Sequence, residues 1–471
     1  MASGNTFSRK AWLPWAALAC LVVPMFGSYF FDDMFSTVSF IFNDPSMLAL
    51  GWDSAGYGFY AGGYSTLCVF GGLVVCGILL DKWGVRITGS IFVGMMIGGA
   101  ALVYYALRSG LQPSRSLMVA YTGCMLFGLG SEIAGTAVNR SIAKWFKGGN
   151  MALAMGIQLS IARLGSATAM VLAPKLIAEH PGTVYSLAET ASPAFTGLML
   201  LLLGGVLWAV FVALDAGFDR RALLARQASA PSVIPSAPSV IPSAPSVISS
   251  EAKESPSDEF HLSDVWKVLT DKNFLLVALL CVFFYSSIIA FKKFGGAILV
   301  PRFGINASTA GWMVASLPFS TVIIAPLFGL LVDKFGNGTR WMVAGSVLAV
   351  TAHLLLAFAP QGVPFWGYLA MALLGFGYSL VPAALWPSLP KIVPEKALGT
   401  AFALTYWVQN LGLMLFKTVS GKIFQASGEA GPVNAELMFI VLAALSILTA
   451  ALLLGVSRKN PQLGLDRAAG K

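Results

Sequence analysis

The chain has 471 residues, of which 57% are hydrophobic and only 11% charged, with a mean hydropathy of +0.76. A soluble domain carries about a quarter charged residues, so these figures exclude a water-soluble enzyme, a disordered chain and a nucleic-acid reader. The net charge of +9 fits a membrane protein whose inner loops are rich in Lys and Arg. In chain order, the first apolar run follows Arg9 and Lys10 as a signal peptide would. It continues past Phe30, too long for a signal core, and reads as the first membrane helix. A spanning helix needs about 20 apolar residues. Twelve segments qualify: 11–42, 54–80, 86–107, 116–143, 150–178, 194–215, 273–300, 308–332, 341–359, 364–391, 397–424 and 434–456. Between the sixth and the seventh, residues 216–268 are polar and hold three tandem Ser-Ala-Pro-Ser-Val-Ile copies between Ser229 and Ser250. Such a stretch cannot bury a core and reads as a linker. The expected organisation is a six-helix bundle over 1–215, a cytoplasmic linker over 216–268, a second bundle over 269–457 and a cytoplasmic tail over 458–471.

Orientation follows from the basic residues. With the N-terminus inside, 21 of the 30 Lys and Arg fall on inner segments and five on outer ones, Arg108, Arg115, Lys175, Arg302 and Lys422. Both termini and the linker are therefore expected in the cytoplasm. The five cysteines all lie in apolar stretches with no C-x-x-C pair, which argues against a disulfide framework or a zinc site. The three histidines are scattered, and no nucleophile constellation appears. No cofactor and no enzymatic activity are expected.

One signature occurs twice. Gly77-Ile78-Leu79-Leu80-Asp81-Lys82-Trp83-Gly84-Val85-Arg86 bridges the second and third segments. Gly329-Leu330-Leu331-Val332-Asp333-Lys334-Phe335-Gly336, with Arg340 close behind, bridges the eighth and ninth. This arrangement resembles the major facilitator superfamily. The resemblance implies an all-α membrane protein with twelve transmembrane helices in two pseudo-symmetric six-helix bundles. A carboxylate such as Asp81 can sit against the N-terminus of a neighbouring helix and pair with an Arg, latching the cytoplasmic side. Gly77, Asp81, Lys82, Gly84, Arg86, Asp333, Lys334 and Arg340 are the candidate latch residues. The plainer alternative is that they cap a tight turn.

Ionisable groups at membrane depth cost about 2.5–3.5 kcal/mol on insertion scales and are functional candidates by default. Here they are Asp32, Asp33, Glu132, Arg163, Lys292, Lys293 and Lys417, while His353, on the ninth segment, reads as structural. Glu132 lies 12 residues before Lys144, and Arg163 lies 13 after Asn150. Both thus stand about 18–20 Å from the same interface on consecutive antiparallel helices. They could pair with each other or hold opposite charges of a ligand. Asp32 and Asp33 on the first helix face the place of Lys292 and Lys293 on the seventh, as an outer gate or as ligand contacts. Lys292 and Lys293, about 100° apart on a helix, should divide the work, one lining the pathway and one pairing. Together the membrane charges sum to four cations against three carboxylates, which disfavours cationic ligands.

Further stretches narrow the resemblance: Phe26-Gly27-Ser28-Tyr29-Phe30 followed by Asp33; Lys144 to Gly148 leading to Gly156–Ser166; Ala384-Leu385-Trp386-Pro387; Val393-Pro394-Glu395; and Gln409–Leu413. Together they resemble the lysosomal dipeptide uniporter branch of the superfamily, the domain-containing protein 1 type. That resemblance implies that Glu132 and Arg163 bind the peptide termini, with Trp386 as a wall. Gln158 joins the substrate-binding candidates Asp33, Lys292, Lys293 and Lys417. Residues 1–15 contain no Asp or Glu, hence no acidic dileucine signal. A bacterial-type cell (inner) membrane is expected, with the lysosomal membrane as the alternative. The expected function is a carrier of dipeptides or amino-acid-like solutes, its partners a small molecule and the lipid bilayer. An organic-anion carrier is the alternative, and a channel or sensor a different class.

Overall fold

The computed structural model describes residues 12–146, 150–177, 185–228, 266, 268–394 and 398–468; the side chains of Asp81, Ala152, Gly399 and residues 221–228 lie outside the described set. Among the described residues there are twelve long helices. The first half holds α1 (Leu13–Asp33), α2 (Ser54–Leu80), α3 (Lys82–Arg108), α4 (Pro113–Trp145), α5 (Met151–Leu176) and α6 (Ser192–Ala228). The second half holds α7 (Lys272–Lys293), α8 (Ala307–Phe335), α9 (Gly338–Phe358), α10 (Pro364–Leu385), α11 (Leu398–Ser427) and α12 (Gly431–Lys459).

The boundaries have local causes. Proline stands in the first turn of α1, α4, α10 and α12, where its missing N–H costs nothing. The carboxylates of Asp53 and Asp271 and the amide oxygen of Asn306 accept backbone N–H bonds at the starts of α2, α7 and α8. Gly84, at φ +74°, kinks the chain at the start of α3, a positive-φ conformation that a side chain would strain. Phe70, Ile78, Val206, Ile323, Leu330 and Val441 are all exposed. A surface so apolar suits lipid rather than water.

Two expected spans are shortened. The first was expected over 11–42, but α1 ends at Asp33, and the chain continues through turns into a 3-10 turn at Ser39–Asn43. Met34, Val38, Ile41 and Phe42 are nonetheless fully buried. Hydropathy records burial in protein as readily as burial in lipid. The seventh, expected over 273–300, ends at Lys293 and breaks at Phe294 before a separate helix, Gly295–Phe303. Both breaks immediately follow the charged pairs. At the boundary expected at 215/216, α6 runs on through Ala228, and the Ser/Pro-rich copies lie outside the described residues. The C-terminal tail folds back. Asp466 accepts bonds from Thr339 N (2.9 Å) and Oγ1 (2.8 Å) at the start of α9, and from Ser457 Oγ (2.6 Å).

Within the first half α1 packs on α5 and α6, and α4 on α2 and α3. Within the second, α7 packs on α11 and α12, and α9 on α10 and α12. The halves meet where α2 crosses α11 and α5 crosses α8. The α2–α11 crossing is so close that a Cβ on Gly58 would stand 2.8 Å from Gly421 Cα. Both crossings lie toward the face opposite the start of α1 and the end of α12, here the distal face. Toward the other, proximal face, Gly77, Gly84 and Gly329 have no atom within 4 Å of where a Cβ would stand. The close contacts between the halves thus gather toward the distal face.

Candidate functional site

The distal closure is ionic. Asp33, 1% exposed, accepts from Lys292 Nζ at 2.7 Å and from Lys293 Nζ at 2.9 Å. Lys293 also pairs with Asp32 at 2.9 Å and bonds its carbonyl. Ser166 of α5 and Ser36 donate to the Asp33 carboxylate. Tyr57 Oη donates to the Lys293 carbonyl (3.0 Å), and Gly296 N to the Ser36 carbonyl (3.2 Å). The expected division of labour between the lysines is corrected: both pair across the halves. The 100° between them is absorbed because α7 ends at Lys293, so the two ammoniums straddle one carboxylate near the helix end. Asp33, Lys292 and Lys293 engage one another in this state rather than lining an open site.

On the proximal side of this gate lie Glu132 and Arg163, which do not form an ion pair with each other. Glu132 on α4 accepts from Tyr64 Oη of α2 at 3.2 Å. The same hydroxyl reaches Ser131 Oγ (3.1 Å), itself 2.5 Å from Ser28 Oγ on α1. Arg163 on α5 donates from Nη1 to Tyr378 Oη of α10 at 3.1 Å. Its guanidinium lies 5.6 Å from the Tyr29 ring centroid and 5.7 Å from that of Tyr378, so two aromatic faces hold the cation. Tyr29 stands within electrostatic reach of both Arg163 and Glu132. Among the described residues neither group has a partner of opposite charge within 4 Å.

The second half contributes an aromatic wall. Trp386 donates from Nε1 to Tyr285 Oη (3.0 Å) and stacks on Tyr406 at 4.9 Å. Phe402 extends the stack, and Tyr285 meets Tyr378 edge to face at 6.2 Å. Lys417 on α11 is 2% exposed, with Nζ 5.2 Å above the Tyr64 ring centroid. Gln158 is buried on α5. His353 is structural in its contacts, with Nδ1 2.8 Å from Glu436 Oε2 and both side chains buried. Sequence reasoning missed Tyr29, Tyr64, Tyr285, Tyr378 and Tyr406 as site residues. Their available signal was a hydroxyl in the middle of an otherwise apolar span, since a buried Tyr Oη needs a partner.

The repeated motif presents a mixed picture. Arg86 pairs with Asp219 (2.9 Å) and Asp215 (3.6 Å) on α6, and Lys144 pairs with both at 2.8 and 2.9 Å. Trp145 Nε1 also donates to Asp215 at 2.8 Å. Arg86, a candidate latch residue, is thus engaged by its own half in this state. Its ion pairs stay inside the first half, because α6 carries two carboxylates one turn apart, a spacing that the linker assignment obscured. Lys82, Asp333, Lys334 and Arg340 are exposed at the proximal face. The side chain of Asp81 lies outside the described residues.

The family model described as Major Facilitator Superfamily matches residues 25–295 and 293–470. The "Lysosomal dipeptide transporter MFSD1" of Danio rerio is 29% identical over 437 residues, covering 91% of this chain and 84% of that protein. Its Mus musculus counterpart is 29% identical, covering 85% and 77%. The "Uncharacterized MFS-type transporter YwoD" of Bacillus subtilis is 25% identical over 34% of this chain and 38% of its own. Among solved structures, a peptide transporter POT in complex with sulfate superposes with a TM-score of 0.65 at 15% identity, covering 95% of each chain. A D-xylose-proton symporter gives 0.65 at 12% identity, covering 93% and 96%. These two establish likeness of fold.

Proposed function

The chain belongs to the Major Facilitator Superfamily, and from that premise we propose that it carries dipeptides by alternating access of its two halves. It is a multi-pass membrane transporter and not an enzyme. One observation carries the substrate reading. A carboxylate, Glu132, and a guanidinium, Arg163, stand on neighbouring helices of one half, each held by tyrosines and, among the described residues, neither closed by a counter-ion. A zwitterion supplies both missing charges. An ammonium on Glu132 and a carboxylate forked by Arg163 each make charge-assisted hydrogen bonds, the stronger kind. An extended dipeptide places its termini about 7 Å apart, so the two groups bind its ends separately. The stack of Trp386, Tyr406 and Phe402 offers apolar faces to side chains. The names of the MFSD1 relatives support the same reading.

In this proposal the Asp32/Asp33–Lys292/Lys293 network is the outer gate. The Gly77–Arg86 and Gly329–Arg340 motifs latch the cytoplasmic side when the halves reverse. The Lys/Arg distribution supports a cytoplasmic proximal face. The proposed location is a bacterial-type cell membrane, the lysosomal membrane being the alternative. Lys417 favours a second reading, an organic anion held by Lys417 and Arg163, in which Glu132 has no role. A thermal-shift screen of purified protein against dipeptides and dicarboxylates separates the two, because a bound ligand raises apparent stability. Uptake with counterflow in proteoliposomes then tests carriage. Glu132→Ala and Arg163→Ala should each abolish uptake at near-normal expression. Normal uptake by both variants, or stabilisation by dicarboxylates alone, overturns the dipeptide reading, and flux without counterflow overturns the carrier.

A further inference from the structure

We infer that Lys417 makes the carrier select peptides whose first residue bears a side-chain carboxylate, an inference that rests on the dipeptide reading above. The argument begins with the charges at membrane depth. Asp32, Asp33, Lys292 and Lys293 are two carboxylates and two ammoniums joined in one network, so they cancel. Glu132 and Arg163 are satisfied together by the termini of any dipeptide. That leaves Lys417. It is buried, and among the described residues no carboxylate lies within 4 Å of it. Its contact is the face of Tyr64, and the acids within electrostatic reach are Asp32 and Glu132. Asp32 is committed to Lys293 at 2.9 Å, and Glu132 is committed to the incoming ammonium. With a neutral dipeptide bound, Lys417 remains an uncompensated cation in a medium where such an ion is expensive.

Tyr64 fixes which part of the ligand can compensate it. One ring lies beneath Lys417 Nζ, and the hydroxyl of that ring bonds Glu132. Lys417 and Glu132 therefore meet one tyrosine ring, the first over its face and the second at its hydroxyl. The register is firm because α11 is pressed on α2, where a Cβ on Gly58 would stand 2.7 Å from the Lys417 carbonyl oxygen. An ammonium seated on Glu132 brings the side chain of its own residue beside Tyr64. In Asp or Glu, three or four bonds separate that ammonium nitrogen from the side-chain carboxyl carbon, enough to pass around one ring. The second residue's carboxylate goes to Arg163, whose contacts are Tyr29 and Tyr378 rather than Tyr64. A Lys or Arg in first place meets a like charge at low dielectric.

The test is competition against uptake of labelled Ala-Ala by Asp-Ala, Ala-Asp, Ala-Ala and Lys-Ala in wild type, Lys417→Met and Lys417→Arg. Ratios are taken within each protein, and thermal-shift affinities give the same ratios if a variant binds without transporting. In wild type Asp-Ala should compete roughly tenfold better than Ala-Ala or Ala-Asp, the effect of one charge-assisted contact, with Lys-Ala weakest. Lys417→Met should bring Asp-Ala level with Ala-Ala, and Lys417→Arg should keep the preference. An unchanged ranking in Lys417→Met, or equal advantage for Asp-Ala and Ala-Asp, overturns the inference while the dipeptide reading stands. Failure of every dipeptide to compete in wild type overturns both.

Discussion

Asp33→Asn is the sharpest probe of the distal gate. Asp33 is 1% exposed and receives Lys292 at 2.7 Å and Lys293 at 2.9 Å. Asparagine keeps the shape and removes the charge, leaving two buried ammoniums to share Asp32. Removing one partner of a buried pair costs about 3–5 kcal/mol. When the halves part at the distal face, the same lysines meet water, where a pair is worth only about 0–1 kcal/mol. The closed state is therefore penalised by about 2–5 kcal/mol relative to the open one, a shift of roughly 30- to 4,000-fold in their ratio. Full inversion from 99:1 to 1:99 needs about 5.5 kcal/mol, so the variant should approach parity or modestly favour the distal-open state. Cys124 is the reporter, since it lines the small cavity beside the gate with Asp32, Tyr60, Phe127 and Lys293. With Cys20, Cys68, Cys76 and Cys281 replaced by Ala, a membrane-impermeant maleimide applied from the distal side should label Cys124 roughly 20-fold faster or more in Asp33→Asn than in the parent, starting from a 99:1 ratio. Asp32→Asn should give a smaller rise, because Asp32 is 27% exposed and engages one lysine. Equal labelling of folded parent and Asp33→Asn would refute the ionic gate.

Other outcomes follow from the same geometry. Tyr378→Phe deletes the hydroxyl that bonds Arg163 and should raise KM for dipeptides about tenfold, read by initial-rate uptake; unchanged KM would remove Tyr378 from the site. Asp81→Asn should slow transport while leaving equilibrium binding in detergent nearly intact, as expected of a latch; a large loss of binding at unchanged turnover contradicts that role. Asp215→Leu strands the indole N–H of Trp145 and leaves Arg86 and Lys144 to Asp219 alone. It should destabilise the first half by about 1–3 kcal/mol, visible as a lowered melting temperature. Asp466→Ala removes the acceptor at the start of α9 and should cost about 1 kcal/mol, with a small drop in melting temperature and uptake retained.

The sequence by itself determined the architecture. Apolar runs of spanning length, the duplicated Gly–Asp–Lys–Gly signature and the polar break after α6 are local properties of the chain, and lipid acts on each span independently of the others. It also singled out Glu132 and Arg163, because an ionisable group in an apolar run is costly wherever the helix ends up. Only the tertiary structure decided how those charges are used. Lys292, Lys293 and Lys417 are alike in sequence, each a lysine at membrane depth. The break after Lys293 brings the first two onto Asp32 and Asp33, while the close α2–α11 crossing seats the third on Tyr64. The tyrosines that hold Arg163 and Glu132 likewise come from α1, α2 and α10, far apart in the chain. A charge at depth announces its cost locally. Its partner is fixed by the packing of helices that no local pattern encodes.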